Sequence, residues 1–227
     1  MAKIKFGMMM TDARGKLGGQ VFSKNRAGAY VRTKVTPVNP RTAAQQLSRF
    51  ILGSLSASWS GLTEAQRRAW NNAVSEWQKT DIFGDLRKPT GKNLFTSLNK
   101  ELIQSGQTQV LSPPEKVVMP EAVLTSAVYD YDKGTFQVSL EGDTTGYMVQ
   151  VWATPSMSQG TSFIDDKLRV VEYFDGILNG SFDIKKLYDE RFGNPEEGAN
   201  VWVQVKLIAS NGQASVPIRV KANVILV

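Results

Sequence analysis

The stretch VWVQVKLIASNGQASVPIRV, residues 201–220, decides the fold class of the carboxyl-terminal half of the chain. Val201, Val203 and Val205 alternate with Trp, Gln and Lys. This period of two is typical of a strand with one buried face. Asn211-Gly212 follows, and that dipeptide favours a tight turn between two antiparallel strands. The stretch therefore predicts a β-hairpin.

Similar short runs recur at intervals of about ten residues beyond residue 118. The predicted strands cover residues 123–131, 135–140, 147–153, 168–174, 180–184, 200–209 and 214–224. Asp132-Lys133-Gly134 predicts a second hairpin turn, and residues 184–192 indicate a short helix between strands. For residues 119–227 we therefore expect an antiparallel β-sandwich of the immunoglobulin or fibronectin type III kind.

Residues 39–110 show the periodicity of amphipathic helices, and we expect a small three-helix domain there. Asn39 is the expected N-cap of the first helix, with Pro40 as its first residue. Thr63 and Gln66 have the spacing of a capping box, which starts the second helix. The third helix is predicted at about residues 92–104. The tryptophans expected to fill the core are Trp59, Trp70 and Trp77.

Residues 111–118 predict a linker and a domain boundary, because Pro113-Pro114 interrupts both periodicities. The chain is therefore expected to be α+β, with an extended basic arm at 1–38, a helical domain at 39–110 and the sandwich at 119–227. In the arm, residues 20–23 and 29–35 alternate as strands and predict a β-hairpin. A two-stranded hairpin is at best marginally stable in water, so we expect another molecule to support it.

Charge is distributed unevenly along the chain. Residues 1–50 hold ten Lys or Arg and one acid, Asp12, a net charge of +9, whereas the whole chain carries +6 and the other 177 residues therefore −3. Such asymmetry indicates an arm that meets an acidic partner. A protein partner is the favoured interpretation, nucleic acid the second, and a solvated charged face the third. The residues predicted to make subunit contacts are Lys16, Phe22, Lys24, Arg26, Tyr30, Arg32 and Lys34.

The composition narrows the possible chemistry. The chain has no cysteine and no histidine, which excludes disulfides and thiolate or imidazole metal ligands. The commonest general base and the most nucleophilic side chain are also missing. No apolar run approaches the roughly 18 residues that span a bilayer. We therefore expect a protein without enzymatic activity, cofactor or membrane segment.

Three motifs resemble sites for phosphate binding, calcium binding or acid catalysis. In each case the surrounding residues favour a purely structural role. Thr90-Gly91-Lys92 lacks the earlier glycine and the following Ser or Thr of a phosphate-binding loop, so it predicts a helix start. Asp130, Asp132 and Glu141 have the spacing of calcium ligands, but the intervening residues alternate as a strand. The paired acids Asp165-Asp166 and Glu196-Glu197 are adjacent, which is typical of solvated loops.

The order of motifs between about residues 15 and 105 resembles small structural proteins of tailed bacteriophages, including crAss-like phages of Bacteroidota-type gut hosts. The matching residues are Tyr30-Val31-Arg32, then Pro37, Asn39-Pro40, Thr42 and Gln45, then Trp59, Leu62-Thr63, Gln66-Arg67 and Ala69-Trp70, then Gly91 and Asn93-Leu94-Phe95. The carboxyl-terminal half is similar only in general style to immunoglobulin-like phage modules.

The resemblance implies a non-enzymatic virion component made in the host cytoplasm: a capsid-associated, head-fibre, collar or tail protein. Its implied partners are other virion proteins (capsid, portal or tail subunits) and further copies of itself. Two alternatives remain open at this point. The basic arm could bind nucleic acid, or the sandwich could act as an adhesion or carbohydrate-binding module.

Overall fold

The computed structural model describes residues 2–8, 10–25, 28–80, 86–161, 163–196 and 198–225, which have a mixed α+β architecture. The chain forms two compact units, Met1–Gln46 and Leu47–Val227. The helices in the described part are α1 (Ala43–Gly61), α2 (Glu64–Ala73), α3 (Gly91–Gln104) and α4 (Lys185–Phe192).

The first unit contains a four-stranded antiparallel sheet, called here the arm sheet. Its strands are β1 (Ala2–Lys3), β2 (Gly15–Leu17), β3 (Gln20–Asn25) and β4 (Gly28–Thr33), in the order β1-β4-β3-β2. The predicted hairpin is confirmed as β3 and β4. The additional strands β1 and β2 are two and three residues long, which is too short for a periodicity to reveal.

The three predicted helices of the middle segment are present, but the predicted start of the first is wrong. Arg41 has a φ of +50°, which interrupts any helix that began at Pro40. The Asn39 side chain instead accepts a hydrogen bond from the Arg41 backbone N–H at 3.3 Å. The first turn of α1 is capped by Thr42, whose Oγ1 accepts from the backbone N–H of Gln45 at 3.4 Å.

The helical core is built around aromatic contacts that the sequence pattern indicated. Trp70 and Trp77 are buried, and Trp59 is half-buried against the same cluster. Trp70 meets Phe95 of α3 edge-on, with ring centroids 5.4 Å apart. The capping box of Thr63 is confirmed, since its side chain accepts from the Gln66 backbone and the Gln66 side chain accepts from the Thr63 backbone.

All seven strands predicted beyond residue 118 are confirmed. They are β7 (Val123–Asp130), β8 (Thr135–Asp143), β9 (Met148–Ala153), β10 (Arg169–Asp175), β11 (Leu178–Asp183), β12 (Val201–Ile208) and β13 (Ile218–Ile225). The strands β5 (Lys79–Thr80) and β6 (Leu86–Arg87) form a separate small pair. The predicted short helix is α4.

The seven strands form one curled sheet in the order β10-β9-β12-β13-β7-β8-β11. The prediction of purely antiparallel pairing does not hold throughout, because β13 runs parallel to β7. Hairpin turns set the direction of strands adjacent in sequence, whereas β7 and β13 are distant in sequence and no turn joins them. Alternate residues of β12, Val201, Val203 and Val205, are buried in the core.

The segment between α3 and β7 has no regular structure, yet side chains on both sides hold its backbone. Asn99 is fully buried in α3, where its Oδ1 accepts from the Val110 N–H at 2.6 Å and its Nδ2 donates to the Val110 carbonyl at 3.1 Å. The indole N–H of Trp70 donates to the Leu111 carbonyl. Further along, Gln213 both accepts from and donates to the Val117 backbone.

Candidate interaction surface

The register of the arm sheet sorts its side chains onto two faces, because directly opposed residues of antiparallel strands point the same way. The pairs Lys16↔Val21 and Val21↔Arg32 join three strands on one face. This basic face comprises Lys3, Lys16, Val21, Ser23, Tyr30 and Arg32. Three of these six described side chains are cationic, and Tyr30 lies opposite both Lys3 and Ser23.

The opposite face of the arm sheet is mainly apolar. Phe22 lies opposite Val31 and Gly15, and Val31 lies opposite Ala2. The apolar face comprises Ala2, Gly15, Leu17, Gln20, Phe22, Lys24, Ala29, Val31 and Thr33. Each of the four strands contributes at least one apolar residue to this face.

None of the described side chains of residues 2–46 is buried. Phe22 and Val31 are half-buried, and Leu17 keeps 71% of its surface exposed. In the described part of the second unit, by contrast, two clusters of buried apolar side chains form enclosed cores. The arm sheet therefore has backbone pairing without a core of its own, a combination that is marginally stable in water.

The cations of the arm sheet are not neutralised locally. Within the described arm, Arg14 forms an ion pair with Asp12. Its Nε lies 3.3 Å from Asp12 Oδ2, and both side chains are exposed to solvent. Lys16, Lys24 and Arg32 form no ion pair with another described residue. The positive charge of the basic face is therefore available to an acidic surface.

The structure brings only some of the predicted contact residues together. Lys16, Tyr30 and Arg32 share the basic face, whereas Phe22 and Lys24 lie on the apolar face. Lys34 follows the end of β4, where its backbone N–H donates to the Gly19 carbonyl at 2.8 Å. Arg26 lies outside the described residues.

Sequence reasoning missed Lys3 and Leu17. Lys3 belongs to the basic face through the short strand β1, and Leu17 belongs to the apolar face through the short strand β2. One indication was available for β2. Gly18-Gly19 is turn chemistry of the kind that connects two strands, and Gly18 has a φ of +54° between β2 and β3. Nothing comparable marks β1, which pairs with β4 from a distant position in the chain.

Apart from the arm sheet, a polar cluster lies where α4 meets the seven-stranded sheet. The Tyr129 hydroxyl donates to Asp189 Oδ1 at 2.9 Å, and Lys185 Nζ lies 2.6 Å from Asp189 Oδ2. Burial raises the pKa of Tyr129, and the hydrogen bond to Asp189 raises the pKa of Lys185. Both groups therefore stay protonated at neutral pH, which suits them to anchoring α4 and not to proton abstraction.

Residues from each of the three motifs with a chemical alternative make structural contacts, and Glu197 of the second acidic pair lies outside the described residues. Thr90 caps α3, its Oγ1 accepting from the Asn93 N–H at 3.2 Å, as the helix-start interpretation predicts. Asp130 lies at the β7–β8 turn and accepts from the Lys133 N–H at 3.0 Å. Asp165 pairs with Arg219 of β13 at 2.5 Å, and Asp166 lies 3.3 Å from Lys167.

Comparison of the chain with protein-family models, curated proteins and solved structures found no match. Across the described residues, no three Asp or Glu side chains converge closely enough to hold a metal ion. None of the described helices combines the length and the apolar character needed to cross a membrane.

Proposed function

We propose that this protein is a non-enzymatic structural component of a bacteriophage virion that assembles through its amino-terminal arm. The observation that carries the proposal is a four-stranded sheet with one basic face, one apolar face and no buried side chain among its described residues. Such a sheet gains its stability from the molecule that covers it.

The two faces suit two different contacts. Fully covering an exposed side chain such as Leu17 contributes about 1.5–3 kcal/mol, and covering the half-buried Phe22 contributes less. Several such gains together are needed to offset the entropy of ordering the arm. The basic face, with Lys16 and Arg32, complements acidic protein surface and guides the encounter. An arm of this kind could lie between neighbouring subunits and bind each through a different face.

The second unit is proposed to act as the body that the arm attaches to the particle. Its strand order supports a fibronectin type III-like sandwich. In that arrangement β7, β8 and β11 would form one layer, and β10, β9, β12 and β13 the other. A module of this kind could project from the particle surface as a display or docking element.

The resemblance described above supports the assignment to a virion. It includes Trp70 and Phe95, which pack in the helical core, and Thr63 and Gln66, which cap α2. These residues have structural roles and need no active site. The proposed partners are capsid, portal or tail subunits and further copies of the chain.

Deletion of residues 1–36 tests the role of the arm. We expect a folded protein, with the circular dichroism and cooperative unfolding of the second unit retained, that no longer enters particles. Incorporation is measured by quantitative mass spectrometry of purified virions. Normal incorporation of the truncated protein would contradict the proposal.

Matched substitutions separate the two faces. Lys16→Glu with Arg32→Glu reverses charge on the basic face, and Leu17→Ser with Phe22→Ser removes apolar surface from the other. Lys186→Glu on the second unit reverses one charge outside the arm and serves as the control. Loss of incorporation in both double variants, with the control normal, is the expected result.

Nucleic-acid binding is the second candidate, favoured by the cationic side chains around Tyr30 on one face. Phosphate contacts give a steep linear fall of log affinity with log salt concentration, and aromatic side chains can stack on bases. A salt titration with single-stranded and duplex DNA measures this directly. Absence of binding at low salt would eliminate the candidate and leave a protein partner or a solvated charged face.

A further inference from the structure

A cleft of about 570 Å³ lies within the second unit, between α3 and the turn that follows β12. Asn93, Ser97 and Glu101 line it from α3, and Lys206 and Ala214 from the opposite side. Its size falls in the range of roughly 300–1,000 Å³ that is typical of sites for small organic ligands.

One part of the cleft wall is apolar. Trp77, Leu94 and Leu98 line it and also belong to the buried helical core. Pro89 adds a further apolar surface at the start of α3. A ring or branched aliphatic group placed against this wall would lose water contact over part of its surface, which is favourable.

The cleft also carries an excess of positive charge. Lys88, Lys116 and Lys206 line it, and none of them forms an ion pair with another described residue. The acid in the described lining is Glu101, whose carboxylate is already 3.9 Å from the Lys100 ammonium. Lys88 and Lys116 are exposed, whereas Lys206 is half-buried. This combination favours an anion over a neutral or cationic ligand.

The wall on the sheet side is held in place by hydrogen bonds. Asn211 Nδ2 donates to the Glu115 carbonyl at 2.9 Å, on one side of Lys116. Gln213 donates to and accepts from the Val117 backbone, on its other side. The backbone that carries Lys116 is thereby fixed before any ligand arrives, which reduces the entropy lost on binding.

We propose that this cleft is a binding site for an organic carboxylate with an aromatic or branched aliphatic body. The lysines would bind the carboxylate, and the wall formed by Trp77, Leu94 and Leu98 would contact the apolar body. The same chemistry occurs in a free carboxylic acid and in a peptide segment with adjacent acidic and aromatic side chains.

The test uses the full-length protein and isothermal titration calorimetry with 2-naphthoate. An ordinary ligand efficiency predicts a Kd on the order of 1 mM. The neutral 2-naphthamide has the same ring and serves as the matched probe, and we expect it to bind about tenfold more weakly. Equal affinity of the two probes, or no heat from 2-naphthoate, would overturn the proposal.

Substitutions locate the site. Lys116→Met with Lys206→Met should weaken 2-naphthoate by about tenfold or more, because two cations are removed. Lys221→Met, which removes an exposed lysine from β13 away from the cleft, should leave the affinity unchanged. If the first double variant fails to unfold cooperatively, Lys88→Met with Lys116→Met replaces it, since both side chains are exposed. Undiminished affinity in a folded double variant would refute the site.

A third probe separates the two sources of the ligand. N-acetyl-Asp-Phe-amide carries a carboxylate and an aromatic ring on a peptide backbone. Binding tighter than 2-naphthoate, and sensitive to the same lysine substitutions, assigns the cleft to a peptide segment. Weaker binding of the dipeptide assigns it to a free carboxylic acid. Dipeptide binding that is insensitive to those substitutions would count against the cleft as its site.

Discussion

Gly212 lies so close to Leu98 that a Cβ atom built on the glycine would be 2.3 Å from the Leu98 carbonyl oxygen. The hairpin turn after β12 therefore meets the backbone of α3 directly. Gly212 also has a φ of +81°, a conformation that disfavours other residues. One glycine thus satisfies the turn and permits the contact that joins the helical and β parts of the second unit.

Replacing Gly212 by Ala should destabilise the protein through both effects. Positive φ costs an alanine about 1–2 kcal/mol, and the overlap with Leu98 adds about 1 kcal/mol or more. Gly146 is the matched control, since its φ is +82° and no atom lies within 4 Å of its added Cβ. Urea unfolding measures both variants. Equal losses of stability in the two would show that the contact with Leu98 contributes nothing.

Asn99→Ala should lower the free energy of unfolding by about 2–3 kcal/mol. The substitution leaves the Val110 N–H and carbonyl without their side-chain partner, and each such group costs roughly 1–3 kcal/mol when it is shielded from water. Asn72→Ala, on the exposed side of α2, is the control and should change stability by less than about 0.5 kcal/mol. Similar effects at the two sites would contradict the proposed role of Asn99.

Tyr129→Phe should cost about 1 kcal/mol, the ordinary net value of one hydrogen bond. The variant removes the hydroxyl that donates to Asp189 and keeps the buried ring. Tyr147→Phe is a suitable control, because the Tyr147 hydroxyl has no hydrogen-bond partner among the described residues. Thermal unfolding followed by circular dichroism provides the comparison. A Tyr129 variant as stable as the control would show that this hydrogen bond adds no net stability.

Acid stability should depend on Asp130. The hydrogen bond from the Lys133 backbone N–H lowers the pKa of Asp130, so folding favours its ionised form. Its contribution is complete above the unfolded-state pKa of about 4 and is lost as the pH falls through the lower folded-state pKa. Asp130→Asn should therefore show a shallower loss of stability between about pH 5 and pH 2.

Asp132→Asn is the control for the acid series, since it neutralises an exposed carboxylate at the same turn. Urea unfolding at half-unit pH intervals gives the slopes for both variants and the parent chain. An Asp130 variant whose stability falls as steeply as that of the parent would disprove the linkage.

Hydrogen exchange should divide the chain at the arm. The paired amides of residues 15–25 and 28–33 are expected to exchange much faster than those of β8, β9 and β12. The described side chains of the arm sheet are not buried, while those three strands enclose a core. Mass spectrometry of the protein in dilute solution, free of partners, measures the difference. Strong protection of the arm amides under these conditions would remove the reason to invoke a partner.

Local patterns were sufficient for most elements of the fold. The alternation in residues 201–205 and the turn at Asn211-Gly212 predict the β12–β13 pair, and the Thr63 capping box marks the start of α2. These features depend on residues a few positions apart, so local sequence patterns are enough to predict them. The start of α1 was mispredicted because Asn39 and Thr42 are both good caps, and only the backbone conformation at Arg41 decides between them.

The candidate surface was predicted less completely. Alternation identifies Tyr30 and Arg32 as strand residues but not Lys16, whose strand β2 is too short to show a period. It also does not show that the three share a face, because this depends on which residues pair across strands. The cleft next to Lys116 and Lys206 was not predicted at all. Its residues come from segments separated by about a hundred positions, and no local pattern relates them.

The sequence by itself determined the class of each segment: a basic arm with little apolar surface, amphipathic helices and alternating strands. The tertiary structure decided the parallel pairing of β13 with β7, the two faces of the arm sheet and the approach of Gly212 to Leu98. The physical reason is the range of the forces involved. Periodicity and capping act within a few residues, whereas strand register and close packing require a partner from elsewhere in the chain.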